Sequence, residues 1–220
     1  MEVNQKNFFL QDEGNQWYLR NKNAVLNKSS DPVIDLLSQR QLKPKNVLEI
    51  GCCNGWRLSI IHELFHSSCY GLDPSGQAII EGRETYPSLN LVQGTADTIP
   101  FNDKKFDLII FGFCLYLCDR KDLFKIVYEV DKYLNEKGHL IIYDFEPPFP
   151  YKNKYQYKEG IFSYKMNYSN LFLSNPSYFL VAKNMITHSG FEKIEEPNER
   201  VSVTLMMKST SVDYIQNPFK

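Results

Sequence analysis

The residues of this chain best suited to chemistry lie in the run Val47-Leu48-Glu49-Ile50-Gly51-Cys52-Cys53-Asn54-Gly55-Trp56-Arg57-Leu58. An apolar β-type stretch closes on an acid and turns through two glycines into a helical pattern. A strand that stops at Gly51 and restarts as a helix near Gly55 aims backbone N–H groups and a helix N-terminus into one crevice. That arrangement suits an adenosine-containing cofactor at the carboxyl edge of a parallel sheet. A nicotinamide or flavin dinucleotide requires glycines in a G-x-G-x-x-G pattern, and those positions here hold Gly51, Cys53 and Trp56. The second glycine lets backbone approach a pyrophosphate and the third lets helix and strand pack closely. Cys53 and Trp56 deny both, so the dinucleotide reading fails on sterics.

The elements that must position this turn follow from apolar periodicity. Asp31-Pro32 reads as a helix start, with Asp31 as cap. Strands are predicted over 46–50, 68–72, 89–93, 106–113 and 138–144. Helices are predicted over 55–65, with Leu58, Ile61, Leu64 and Phe65 inward, and over 75–85 and 121–135. A near-continuous apolar strand at 106–113 fits a sheet covered on both faces. Strand–helix alternation implies right-handed βαβ units and a doubly wound α/β sheet. Before it, residues 14–23 read as a short helix carrying Trp17, Tyr18 and Arg20. After it, alternation on both sides of Glu159-Gly160 suggests a β-hairpin. A helix over 176–189, strands over 191–195 and 201–208, and a loosely held tail complete the pattern.

These stretches resemble the class I S-adenosylmethionine-dependent methyltransferases, in particular the small type-11-like group, over roughly residues 44–145. Four segments carry the resemblance: Glu49–Gly55, the acid Asp73 at the end of the second strand, Gly94-Thr95-Ala96-Asp97, and Phe106–Tyr116. The resemblance implies a mostly parallel seven-stranded Rossmann-like sheet whose last strand is antiparallel, with S-adenosyl-L-methionine as cofactor and S-adenosyl-L-homocysteine as product. Glu49, Ile50, Gly51, Cys52, Cys53 and Gly55 would curve around the methionine part. Asp73 would accept from the ribose hydroxyls, with Pro74 flanking the adenosine. Asp97 would take the adenine amino group, and the Ala96 backbone a ring nitrogen. Phe111 and Phe113 lie on the segment beside the sulfonium, where Tyr116 replaces a frequent His. Aromatic faces such as Trp17, Tyr18, Phe113 and Tyr116 could stabilise the sulfonium by cation–π attraction.

The domain map expected is an N-terminal helical cap (1–43), a cofactor core (44–145), a hairpin cap (146–175), a C-terminal helix and two strands (176–208), and a tail (209–220). Candidate catalytic groups are Asp144 and Glu146, at the carboxyl end of the fifth strand, and Tyr116. An oxygen acceptor of alkaline pKa needs a general base, whereas an amine needs only to arrive neutral. Arg20 is a candidate to pair an acidic group of the ligand. Tyrosines alternating with Lys154, Lys158 and Lys165 on the hairpin suggest a polar small-molecule acceptor such as a sugar or nucleotide-linked sugar. A weaker resemblance to surface-polysaccharide biosynthesis methyltransferases points the same way. A hairpin that pairs two subunits into a homodimer is the alternative use of those residues, and a non-catalytic cofactor-binding subunit is the alternative function. His62, His66 and His188 read as surface or packing residues of helices, and His139 as structural.

Composition narrows the classes. The 25 basic and 26 acidic residues give a net charge of −1 with no basic stripe, which disfavours nucleic acid as partner. Five cysteines without a Cys-x-x-Cys pair argue against a zinc site, any other metal centre or a disulfide framework. No run approaches the ~18 apolar residues of a membrane span, and the first residues lack a signal-peptide core. A cytoplasmic protein with no membrane partner is the expectation.

Overall fold

A computed structural model describes residues 4–26, 30–190, 194–212, 216–217 and 219. Seven strands form one sheet: β1 (Asn46–Ile50), β2 (Ser68–Asp73), β3 (Asn90–Gln93), β4 (Phe106–Gly112), β5 (Leu134–Phe145), β8 (Tyr178–Thr187) and β9 (Arg200–Lys208). A separate two-stranded hairpin is made by β6 (Tyr151–Lys154) and β7 (Phe162–Lys165). The order in the large sheet is β3-β2-β1-β4-β5-β9-β8. Strands β1 to β5 pair in parallel. β9 runs antiparallel to both β5 and β8, so β8 points the same way as the first five and ends on the same edge.

Alternate strand residues face two apolar layers. Leu48, Ile50, Ile109, Phe111, Leu140 and Ile142 join α6 (Leu123–Tyr133) and α7 (Asn170–Leu173) through Ile126, Val130 and Phe172. Val47, Leu108, Ile110 and Ile141 join α3 (Pro32–Gln39), α4 (Trp56–Phe65) and α5 (Gly76–Thr85) through Leu36, Leu37, Leu58, Ile61 and Ile79. This is the doubly wound α/β sheet expected, and its topology directs the loops after β1, β2, β3, β4 and β8 to one edge.

The local signals act where they were read. Asp31 caps α3, its Oδ1 accepting from the N–H groups of Val33 (3.0 Å) and Ile34 (3.1 Å). Gly51 and Gly55 sit at φ +77° and +83°, a region that excludes most side chains. A Cβ at Gly51 would also lie 2.6 Å from that of Cys114.

The N-terminal helix is longer than predicted. It runs as α1 (Gln5–Phe8), a π-helical turn (Phe9–Glu13) and α2 (Gly14–Leu26). The second hairpin strand, Phe162–Lys165, falls within the alternating residues after Glu159-Gly160, whereas the first, Tyr151–Lys154, lies upstream of those before it, because a wider connection closes by Tyr155 N–H to Ile161 O at 2.9 Å. Leu64 is exposed rather than inward. The helix predicted over 176–189 is strand β8. Its Phe179, Leu180 and Val181 are exposed on the sheet edge, and aromatic and β-branched residues suit pleated pairing with β9. Of the strand predicted over 191–195, residues 191–193 lie outside the described residues, and 194–195 are in a turn.

Candidate functional site

A cavity of ≈ 530 Å³ opens along the carboxyl edge of the sheet. Of the residues predicted to hold a cofactor, Ile50, Gly51, Cys53, Asp73, Pro74, Ala96, Asp97, Phe113 and Trp17 line it, as does Tyr116. The structure does not bring Glu49, Cys52, Gly55, Phe111, Arg20, Asp144 or Glu146 to its wall. Cys52 is buried among α3 and α4, and Phe111 packs on Phe172 in the opposite layer.

Asp73 ends β2 and anchors the glycine turn. Its Oδ2 accepts from Cys53 N–H at 2.8 Å and its Oδ1 from Ser75 N–H at 2.9 Å. Burial pushes its pKa up to about 6 against the pull of those two donors. A carboxylate has about four acceptor positions, so each oxygen can still accept a hydroxyl from the cavity.

Asp97 is held differently. Its Oδ2 pairs with Lys6 at 2.9 Å and Lys125 at 3.0 Å, and its Oδ1 accepts from the Thr95 hydroxyl at 2.7 Å. Burial opposes the charge, but Lys6, Thr95 and Lys125 outweigh it and hold the pKa at about 2. Lys6 belongs to α1 and also reaches Asp122 at 3.4 Å. Phe9, Trp17 and Asn21 extend the same helical wall along the cavity.

Beneath the turn lies a buried ion cluster that sequence reading missed. Arg57 donates to Asp31 through Nε (3.0 Å) and Nη2 (2.9 Å), and through Nη1 to Glu49 Oε1. Burial works against the guanidinium, yet Glu49 and Asp31 raise its pKa. Burial pushes Glu49 up to about 7 despite Arg57. Its second oxygen, Oε2, is buried and has no hydrogen-bond partner among the described residues. The available signal was a lone arginine in the first turn of α4, eight residues after Glu49.

Around Gly51 and Gly112 the wall becomes aromatic. Trp17 and Tyr116 both line this part, and burial raises the pKa of the Tyr116 hydroxyl. The Phe113 ring meets Tyr116 at 5.4 Å and Tyr143 at 5.1 Å. Asp144 is buried behind this wall, accepting from the N–H groups of Leu115 (2.8 Å), Tyr116 (3.3 Å) and Phe145 (2.8 Å). It therefore fixes the turn after β4. Glu146 pairs with Lys183 at 2.7 Å and accepts from Ser202 at 2.7 Å. Arg20 pairs with Glu13 and lies 3.7 Å from the centroid of Tyr157. No hairpin residue is among those lining the cavity. His188 is, and it follows a strand rather than lying in a helix.

A glycine turn after β1, an acid ending β2 and a cavity along the carboxyl edge define a Rossmann-like domain for an adenosine cofactor that is not a dinucleotide. Residues 48–142 match the family model described as a methyltransferase domain. Over these residues, the core of the sheet, the chain is similar to the class I S-adenosylmethionine-dependent methyltransferases of the type-11 group. A fatty-acid O-methyltransferase of Mycolicibacterium smegmatis is 32% identical over 115 residues, 51% of this chain and 41% of that protein. A phthiotriol/phenolphthiotriol dimycocerosates methyltransferase of Mycobacterium leprae is 31% identical over 113 residues, 50% of this chain and 41% of that protein. The chain thus spans about two fifths of the length of these curated relatives. Among solved structures, the N-methyltransferase NodS of Bradyrhizobium japonicum with S-adenosyl-L-homocysteine superposes with a TM-score of 0.61 at 15% identity, covering 90% of this chain and 99% of that one. A S-adenosylmethionine-dependent methyltransferase of Clostridium acetobutylicum gives 0.56 at 16% identity, covering 80% and 89%.

The cofactor of this class is S-adenosyl-L-methionine, and the residues present fit it. The unpartnered Glu49 Oε2 lies below the glycine turn, and the acids Asp73, Asp97, Asp119 and Asp122 line the cavity against the cations Lys6 and Arg57. An acid-rich wall suits a ligand carrying a sulfonium and an ammonium. No helix among the described residues is long and apolar enough to cross a membrane.

Proposed function

We propose that this chain transfers the methyl group of S-adenosyl-L-methionine to an oxygen or nitrogen of a small molecule whose body is apolar where it enters the cavity. The observation that carries this reading is that one continuous cleft contains the Gly51 turn, Asp73 and Asp97 on one side and Trp17, Phe113, Tyr116 and Tyr143 on the other. Bound there, the cofactor supplies an electrophilic methyl on a cationic sulfur. Asp73 then takes the ribose hydroxyls, Asp97 and Ala96 face the adenine, and Gly51 with Ile50 lets the methionine part approach the backbone. The aromatic wall excludes water and lines the approach to the sulfur. Holding nucleophile and methyl in line is the main catalytic contribution open to such a site.

The acceptor class draws support from the same wall. The lysines and tyrosines that suggested a sugar acceptor sit on the hairpin, away from the cavity, whereas the wall beside Gly112 is aromatic. The relatives' names, a fatty-acid and a phthiotriol methyltransferase, also favour a lipid-like body. The test is transfer of tritium from methyl-labelled cofactor to a panel of fatty acids, fatty alcohols, aliphatic amines and sugars. Labelled product from the first three groups supports the reading. Labelled sugar alone would restore the glycan acceptor. Tight binding of S-adenosylhomocysteine with no labelled product would favour a non-catalytic cofactor-binding subunit.

A further inference from the structure

The order of strands sets the order of groups along the cavity. Asp97 follows β3, Asp73 ends β2, Gly51 follows β1, Phe113 follows β4 and His188 follows β8, at the far edge of the sheet from β3. A cofactor laid along this edge with its adenine at Asp97 has its sulfur between Gly51 and Phe113. The next group beyond it is His188.

His188 is built into that place. Its ring stacks on Phe113 with centroids 5.5 Å apart and planes at 24°, and it meets Phe145 at 5.2 Å. Its N–H donates to Glu199 O at 2.8 Å, and the following N–H, of Ser189, donates to the Glu199 carboxylate at 2.8 Å. The hairpin fastens this corner. Lys165 lies 3.6 Å from the centroid of Phe145 and donates to Asn198 Oδ1 at 3.1 Å, next to Glu199. His188 remains open to solvent at the cavity rim.

We infer that His188 is the general base for an acceptor hydroxyl carried on an apolar body, an inference that rests on the methyltransferase reading above. Asp144 and Glu146 are committed to the scaffold, and the buried Tyr116 hydroxyl keeps its proton. Among the imidazole, carboxyl and phenol groups of the aromatic end, His188 is the exposed one at the cavity rim, and an imidazole nitrogen can accept a proton from a hydroxyl. In the transfer, the hydroxyl O–H bond breaks and its proton goes to the imidazole as the new oxygen–methyl bond forms. The electron pair of the breaking carbon–sulfur bond stays on sulfur, and the imidazolium carries the positive charge that the sulfonium loses. A carboxylic acid acceptor needs no such base, because it arrives ionised. The Glu199 carboxylate at the same corner also repels it. Of the titratable groups at this corner, Glu199 acts on His188 directly, Lys165 packs on Phe145, which Asp144 precedes, and Tyr116 and Tyr143 pack on Phe113.

The experiment uses the full chain loaded with S-adenosylhomocysteine and n-octanol as the probe. The His188 ring proton resonance, assigned by its loss in His188→Phe, is expected to shift on adding n-octanol and to stay put with n-octanoate. In parallel, tritium transfer from labelled cofactor to n-octanol is expected to fall at least a hundredfold in His188→Phe, which preserves a stacking ring. The acid limb of the wild-type pH profile should disappear in His188→Gln, and S-adenosylhomocysteine affinity should hold within twofold in both variants. No shift with n-octanol, or equal transfer by His188→Phe and wild type, overturns the assignment. Failure of the wild type to bind S-adenosylhomocysteine would instead overturn the underlying methyltransferase reading.

Discussion

Lys6 Nζ lies 2.9 Å from Asp97 Oδ2, which ties the first helix of the chain to the loop after β3. The same carboxylate is the one proposed above to face the adenine amino group, so on that reading helix and cofactor would address one acid. Removing the lysine charge should release Asp97 for the ligand. Lys6→Met is expected to tighten S-adenosylhomocysteine binding several-fold in calorimetry, and a weaker complex would show that Lys6 itself helps hold the cofactor.

The same ion pair gives a pH signature. Asp97 is held at about 2, below an unfolded carboxylate near 4. A depressed pKa contributes stability that is present above the unfolded value and lost as pH falls through the folded one. Wild type should therefore lose stability to urea between about pH 4 and pH 2, and Asp97→Asn should lose less over that window.

Asp144 has the opposite sign. Burial raises its pKa to about 7, so the folded state favours the protonated form. Its contribution is fully present below about pH 4 and is lost as pH rises through about 7. Asp144→Ala leaves the N–H groups of Leu115, Tyr116 and Phe145 without their acceptor. A loss of about 1–3 kcal/mol at pH 5 is expected from urea denaturation, larger than the loss at pH 8.

Arg57 balances two buried carboxylates. Removing one member of a buried ion cluster typically costs about 3–5 kcal/mol, because the remaining charge is stranded. Arg57→Met should approach that loss. Glu49→Gln should cost less, since Asp31 still holds the guanidinium through two contacts.

What the sequence disclosed is what short-range physics decides. The turn at Gly51 and Gly55 demands positive φ, the Asp31 cap precedes a proline, and the central strands β1 and β4 are apolar enough to stand out. The strand β8 was hidden because its exposed Phe179-Leu180-Val181 breaks the period-two alternation of a strand and its pairing partners lie 13 (Thr187 to Arg200) to 30 (Tyr178 to Lys208) residues on. In the site, Gly51, Asp73 and Asp97 are legible because each sits at a strand end in a recognisable local pattern. Lys6, Arg57 and His188 are not, because their roles come from partners distant in the chain: Lys6 from Asp97, Arg57 from Asp31 and His188 from Phe113. Asp144 and Glu146 were placed at the correct edge, but register with β9 and the turn after β4 takes up their oxygens.

The most direct test of the cofactor site is calorimetric titration of wild type and Asp73→Ala with S-adenosylhomocysteine, alongside NADH. Loss of charge-assisted hydrogen bonds to the ribose is worth about 1.5–3 kcal/mol, or roughly tenfold to a hundredfold in affinity. Wild type is expected to bind S-adenosylhomocysteine and not NADH, and Asp73→Ala to bind it at least tenfold more weakly while remaining folded by circular dichroism. An unchanged dissociation constant in Asp73→Ala, or binding of NADH alone, would contradict this reading.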